Sequence, residues 1–113
     1  MSVSSGLSGR YAKALYELAE EKKTLTKIVD DFMGLKKLLV ENNSLSNLIK
    51  SPAVSKSEKQ NSILKILNKA KTQKLTINFF GTLANNGRLN LIDEVIEDFL
   101  SVVSKINGEV KAE

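Results

Sequence analysis

The 113-residue sequence contains no cysteine, histidine or tryptophan, and it has only one proline. Without cysteine the chain forms no disulfide, and a reducing compartment is permitted. Without histidine and cysteine it has no triad base, no thiol nucleophile and no nitrogen–sulfur metal site. Its six glycines form no Gly-x-Gly-x-x-Gly or Gly-x-x-x-x-Gly-Lys phosphate loop. We therefore expect a protein that is not an enzyme and that uses neither a metal nor a cofactor. A small enzyme built from Asp, Glu, Lys, Ser and Tyr alone is the alternative, but the sequence shows no recognisable constellation for it.

Length and composition are those of a soluble globular chain with one core. Hydrophobic residues make up 42% and charged residues 27% of the sequence. No segment approaches the roughly 18 consecutive apolar residues of a membrane-spanning helix. The first ten residues lack the apolar centre of a secretory signal.

Apolar residues recur at intervals of three and four along most of the chain, which predicts an all-α fold of six helices. The first, third and fifth expected helices cover residues 7–21, 44–50 and 72–86, and the second runs from Thr24 to about Asn42. The fourth follows Ser55 and carries apolar residues up to Ala70, and the sixth begins at Asn90 and carries apolar residues up to Ile106. Thr24 and Thr72 are expected N-caps, and Ser55 with Glu58 has the spacing of a capping box.

The segment "LANNGRLNLIDEV" predicts a tight corner at Asn86, Gly87 and Arg88. Glycine tolerates the left-handed conformation that ends a helix, and Asn90 then begins the next helix. We expect this corner to make the fifth and sixth helices adjacent.

The last residues lack the helical spacing of apolar side chains that the rest of the chain shows. Residues 1–106 form the expected helical domain, and in residues 107–113 "GEVKAE" alternates polar and apolar side chains. We expect a linker and the first residues of a β-strand that leads into an absent second domain, because a lone half-strand has no partner. A frayed tail is the alternative.

Two helices carry more apolar or small surface than a simple core needs. The first is apolar around most of its circumference. The fifth has no charge between Lys74 and Arg88 and carries a small, uncharged stripe. That stripe consists of Asn78, Gly81, Thr82 and Asn85. Such faces suit close packing by another helix, although central positions in the bundle would give the same pattern.

Four segments in order and spacing carry a family resemblance: "GRYAKALYELAEEKK", "SPAVSKSEK", "LANNGRLNLIDEVIEDF" and "GEVKAE". With them the chain resembles the δ subunit of bacterial F-type ATP synthase, called the oligomycin sensitivity-conferring protein in mitochondria. The resemblance covers essentially all of the chain but only the N-terminal domain of that family. Residues 10–15 and 86–89 match best, and Asn85 stands where family members usually have glutamate.

The resemblance implies a non-catalytic subunit of the stator, or peripheral stalk, of F1Fo ATP synthase. Such a subunit binds the N-terminal helix of the α subunit and links the F1 head to the b-subunit stalk through its second domain, for proton-driven ATP synthesis. It sits on the cytoplasmic face of the bacterial inner membrane, or on the matrix side in mitochondria, and meets the membrane only through the complex.

The resemblance also implies a groove between helices one and five that accepts the α-subunit helix. The residues expected to line it are Tyr11, Ala14, Leu15, Leu18, Asn78, Phe79, Thr82 and Leu83. For each of them, packing in the core is the alternative.

A lysine-rich stretch raises a second possible function, a basic helical nucleic-acid-binding module. The stretch carries Lys50, Lys56, Lys59, Lys65, Lys69, Lys71 and Lys74 against the single acid Glu58, and the pI is about 9.3. The whole chain has fifteen lysines but only two arginines, and no aromatic residue interrupts the stretch. It therefore has few arginines that could bind base edges and no aromatic rings in the stretch on which bases could stack. We expect a solvated lysine face that binds no nucleic acid, flanked by an acidic surface. That surface would hold Asp93, Glu94, Glu97 and Asp98.

Overall fold

The computed structural model describes residues 6–107, which form six α-helices joined by short turns. The helices are α1 Leu7–Glu21, α2 Leu25–Glu41, α3 Asn43–Lys50, α4 Lys56–Lys69, α5 Lys74–Asn85 and α6 Ile92–Asn107, with a 3-10 turn at Leu89–Leu91 before α6. The predicted all-α, six-helix fold is confirmed. The expected half-strand falls on residues 108–113, outside the described residues, and the domain boundary stays a prediction.

The core forms where the apolar faces of all six helices meet. Phe32 of α2 lies at its centre and is fully buried. Its ring centroid is 4.5 Å from that of Phe99, 5.1 Å from that of Phe80 and 6.0 Å from that of Phe79. The largest fully buried side chains are Phe32, Phe80, Phe99, Ile28, Ile49, Ile63, Leu67, Leu83, Leu89, Ile92, Ile96 and Val95. Burial of this apolar surface is the main force that holds the helices together.

The helix pairs with the most extensive contacts are α1 with α6 and α4 with α5. α5 and α6 are not among the helix pairs in substantial contact, so the expectation that the corner makes the fifth and sixth helices adjacent is not confirmed. The chain changes direction in the 3-10 turn at Leu89–Leu91, where Leu89 is buried, so α6 begins at Ile92 rather than Asn90. The corner leads from one helix pair to the other.

The corner itself has the geometry that the sequence predicts. Gly87 has a φ of +73°. Its N–H donates to the carbonyl of Ala84 and the N–H of Arg88 donates to the carbonyl of Leu83, both at 2.9 Å. This pair of hydrogen bonds is the Schellman motif, which satisfies carbonyls that a helix end otherwise leaves unpaired.

The same hydrogen-bond pattern ends α1 and α4, but with lysine in the left-handed position. Lys23 has a φ of 56° and Lys71 a φ of 58°. After α4, Lys71 donates its N–H to Asn68 and Thr72 donates its N–H to Leu67. A residue with a Cβ is strained there by about 1–2 kcal/mol, which glycine avoids.

Replacing Lys71 by glycine is therefore expected to stabilise the fold. Relief of the left-handed strain outweighs the extra freedom that glycine gives the unfolded chain, leaving a net gain of about 0.5–1 kcal/mol. Urea unfolding should show a higher midpoint with an unchanged slope.

The control for this change is Lys69→Gly, two residues earlier and inside the last turn of α4. Glycine there has no strain to relieve, so the variant should lose about 1 kcal/mol. A midpoint for Lys71→Gly at or below that of the wild type would contradict the assignment of strain to Lys71.

Two of the helix starts follow local sequence signals. The capping box before α4 is confirmed, because Ser55 Oγ accepts from the Glu58 N–H at 3.1 Å and Glu58 Oε1 accepts from the Ser55 N–H at 3.4 Å. Asn42 caps α3 by accepting from the Leu45 N–H at 3.1 Å, so this helix begins at Asn43 rather than at the expected Ser44.

The two threonine caps behave differently from the prediction. Thr24 holds the N-cap position of α2, but its side chain makes no capping hydrogen bond. The prediction that Thr72 caps α5 is wrong, because its hydroxyl donates to the Leu67 carbonyl at 3.1 Å and α5 begins only at Lys74. Thr72 closes the end of α4 instead.

The expected acidic surface is only partly present. Asp98 is buried, and its Oδ2 accepts from the Ser8 hydroxyl at 2.8 Å, so it joins α6 to α1 instead of facing solvent. Asp93 and Glu97 are exposed and make ion pairs that join α6 to other helices. These pairs are Lys50–Asp93 and Lys36–Glu97.

Candidate partner-binding surface

One apolar stripe of α1 is left accessible by the fold. Leu7, Tyr11, Ala14 and Leu18 follow one another at spacings of four, three and four, which places them on one side of a helix. Leu7 is 37% and Leu18 38% exposed, Ala14 is exposed and Tyr11 is half-buried. The stripe lies beside the buried face of α1 and not within it.

A matching stripe runs along α5 and its C-cap. Leu75, Phe79, Thr82 and Asn86 have the same spacing of four, three and four. Leu75 and Phe79 are half-buried, whereas Thr82 and Asn86 are exposed. The two stripes together, eight residues in all, are called the α1–α5 surface below.

Side-chain contacts join the two stripes. The Tyr11 ring packs edge-on against Phe79, with centroids 6.2 Å apart and planes at 81°. Asn86 Nδ2 donates to the Tyr11 hydroxyl at 3.0 Å. Towards the end of α1, Lys22 lines the same cavity as Lys74 at the start of α5. The two helices therefore run in opposite directions along this surface.

The structure brings most of the predicted groove residues together. Ala14, Leu18, Asn78 and Thr82 are exposed and Tyr11 and Phe79 are half-buried, so all six are accessible to a partner. Whether they bind one stays a prediction.

The other two predicted groove residues lie in the core. Leu15 is 2% and Leu83 0% exposed, so they support the surface from beneath and cannot touch a partner. Sequence reasoning missed Leu7 and Leu75, although each lies one helical turn before an aromatic residue of its stripe.

Gly81 belongs to a different face of α5. A Cβ built on it would lie 3.5 Å from Leu64 Cδ2, and its carbonyl accepts from Gln60 Nε2 at 2.9 Å. Both partners are on α4, so the small side chain of Gly81 serves the α4–α5 contact. The small stripe expected on α5 is thus reduced to Asn78, Thr82 and Asn85.

The start of α5 is held by a side chain from α2. Asp31 Oδ2 accepts from the Gln73 N–H at 2.8 Å and from the Thr76 hydroxyl at 2.7 Å. Thr76 is fully buried, and Gln73, in the N-cap position, makes no capping hydrogen bond with its own side chain. Asp31 therefore fixes one wall of the α1–α5 surface, a role that nothing in the local sequence indicates.

Asp31→Ala is expected to lower the free energy of unfolding by about 1–3 kcal/mol, because it leaves the buried Thr76 hydroxyl without its acceptor. Amide hydrogen exchange should speed up most at the first turn of α5, and urea unfolding should report the loss.

The matched control for Asp31 is Asp31→Asn. Both hydrogen bonds end on one oxygen, which an amide still supplies, so this variant should keep most of the stability. Equal stability of the alanine variant and the wild type would show that the two bonds do not hold α5.

Charge is unevenly distributed around the surface. Arg10, Glu17 and Glu21 are exposed along the outer side of α1, whereas α5 carries no charge between Lys74 and Arg88.

On the opposite side of α1, burial raises the pKa of Tyr16, and the hydrogen bond from its hydroxyl to Glu20 raises it further. The raised pKa means that the folded state holds the phenol proton more tightly than the unfolded chain does. The resulting contribution to the free energy of unfolding is present below a pH of about 10 and is lost at higher pH.

The predicted lysine face is solvated, as expected. All of its lysines are exposed except Lys59, which is half-buried. Between residues 6 and 107, no cluster of acidic side chains is placed to hold a metal ion. No helix in that range has both the length and the apolar character needed to cross a membrane.

Comparison with known proteins identifies similar chains. The family model of the ATP synthase delta (OSCP) subunit matches residues 7–113. The ATP synthase subunit delta of Nitrobacter winogradskyi is 38% identical over 109 residues, which are 96% of this chain and 59% of that protein. That of Xanthobacter autotrophicus is 35% identical over 112 residues, which are 99% of this chain and 56% of that protein. The chain thus spans less than two thirds of the length of these relatives.

Proposed function

Because this chain belongs to the ATP synthase delta (OSCP) subunit family, we propose that it is a non-catalytic part of the stator, or peripheral stalk, of an F-type ATP synthase. In this role the α1–α5 surface binds the N-terminal helix of the α subunit in the F1 head. The stator holds the head against the torque of the rotor while ATP is made at sites on other subunits.

The observation that carries the proposal is the pair of matching stripes. Each covers eleven residue steps, or about 17 Å of helix, which is the length of about three turns of a partner helix. The half-buried rings of Tyr11 and Phe79 meet in the middle, and leucines lie towards the ends of the stripes. Small side chains at Ala14 and Thr82 leave room for close approach. This arrangement suits an amphipathic helix with anchors at similar spacing.

The wider connections of the stator belong to the same proposal. We assign the contact with the b-subunit stalk to the part of the relatives that lies beyond this chain. The complex as a whole would hold the protein at the cytoplasmic face of a bacterial inner membrane, with no direct contact between this chain and lipid.

Calorimetric titration with a peptide of about 25 residues from the N-terminus of the same organism's α subunit tests the proposal. Saturable binding that persists at 0.5 M salt is expected, because an apolar contact is little screened. Absence of peptide binding, together with duplex DNA binding that falls steeply with salt, would contradict it and favour the nucleic-acid-binding alternative.

A further inference from the structure

A cationic cavity lies at one end of the α1–α5 surface. Its volume is about 340 Å³, and it is lined by Lys22, Thr24, Gln73, Lys74, Leu75 and Asn78. Leu75 belongs to the surface itself, so the cavity continues directly from the apolar stripe. It is called the lysine cavity below.

Neither lysine of this cavity has an acidic partner in the fold. Within residues 6–107 the ion pairs are made by Lys36 and Lys50, and no carboxylate approaches Lys22 or Lys74 to within 4.0 Å. No acidic residue lines the cavity either, as far as the described residues show. The two charges are therefore available to an anionic group of a bound partner.

The opposite end of the surface is chemically different. There the Tyr11 hydroxyl and the Asn86 amide hydrogen-bond to each other across the two helices. At one end two lysines line the surface, whereas at the other end the lining pair is neutral and its polar atoms already bond each other. Arg10 and Arg88 are exposed next to that neutral pair in the sequence, but neither belongs to the two stripes. This asymmetry distinguishes the two ends of any helix that lies on the surface.

We infer that the lysine cavity receives a carboxylate side chain of the docked helix, and that this contact sets which way round the helix lies. The inference rests on the proposed function. Lys22 is four residues beyond Leu18, and Lys74 directly precedes Leu75. The partner's acidic residue therefore lies about one turn beyond the end of its apolar stripe.

The contact is electrostatic, so its strength depends on how far the docked helix shields the cavity from water and on the salt concentration. An exposed ion pair is weak, but the docked helix covers the cavity and lowers the local dielectric constant. A glutamate in place of either lysine exchanges this attraction for repulsion between two carboxylates. We expect about a tenfold loss of affinity for each reversal at low salt, and a smaller loss at high salt.

The experiment compares Lys22→Glu and Lys74→Glu with Lys69→Glu, an exposed lysine of α4 that does not line the cavity. The probe is the α-subunit peptide, titrated by calorimetry at 0.05 and 0.5 M salt after circular dichroism has confirmed the fold. The two cavity variants should weaken binding about tenfold at low salt, and the control by less than about twofold.

A second arm identifies the partner group. Each acidic residue of the peptide is changed singly to lysine, and one such change should weaken binding to the wild type but restore it to Lys74→Glu. Cavity variants that bind like the control at both salt concentrations would overturn the inference while leaving the proposed function intact. A wild type that does not bind the peptide at all would overturn both.

Discussion

Phe32→Ala is expected to lower the free energy of unfolding by about 3–5 kcal/mol. Phe32 is fully buried and packs against the rings of Phe79, Phe80 and Phe99, so truncation removes contacts to α5 and α6 together. Because a domain of this size has a total stability of about 5–15 kcal/mol, the variant would be only marginally folded. Thermal and urea unfolding measure the loss.

The next residue provides a matched control for Phe32. Met33 is a large apolar side chain on the same helix but is 56% exposed, so Met33→Ala should change the stability by less than about 1 kcal/mol. Similar losses for the two variants would place the centre of the core elsewhere. Phe32→Leu should recover much of the loss, because it refills most of the cavity.

Helix number and type could be predicted from the sequence because they depend on local periodicity. The range of α1 was predicted to the residue, and the start of α4 follows Ser55, as the capping box predicts. Gly87 identified the corner for a physical reason, since its φ of +73° is one that glycine adopts without strain. Where the special backbone position holds lysine, as at Lys23 and Lys71, the sequence carried no such signal.

Contacts between distant residues could not be predicted from the sequence. The carboxylate that holds the start of α5 comes from Asp31, 42 residues before the amide it binds. Thr72 has the chemistry of an N-cap, but the nearby carbonyl at the end of α4 takes its hydroxyl instead. The burial of Asp98 likewise depends on Ser8, 90 residues away.

The sequence predicted which two helices form the accessible surface, but not which of their apolar residues are exposed and which are buried. Periodicity showed that α1 has a wide apolar arc, but it could not separate the part that faces the core from the part that stays accessible. Leu15 and Ala14 are neighbours in the sequence, yet Leu15 is buried and Ala14 exposed. On α5 the same pattern led to the prediction that Gly81 lies on the accessible stripe, whereas Leu64 of α4 packs beside it.

Ala14→Asp is expected to abolish most of the binding of the α-subunit peptide while leaving the fold intact. Ala14 is exposed, so the free protein keeps the new carboxylate in water at a modest cost in helix propensity. A docked helix would bury that charge without a partner, which costs about 3 kcal/mol or more and corresponds to a loss of affinity on the order of a hundredfold. Calorimetry measures the affinity and circular dichroism the fold.

The control for Ala14→Asp is Asn61→Asp, which adds the same charge at an exposed position of α4 and should bind the peptide like the wild type. Thr82→Asp, on the opposite stripe, should lose binding as Ala14→Asp does, because both positions face the same docked helix. If both stripe variants fold and still bind like the wild type, the partner docks elsewhere. If Ala14→Asp unfolds while Thr82→Asp remains folded, Ala14 packs in the core, and the binding of Thr82→Asp alone decides whether the surface is used.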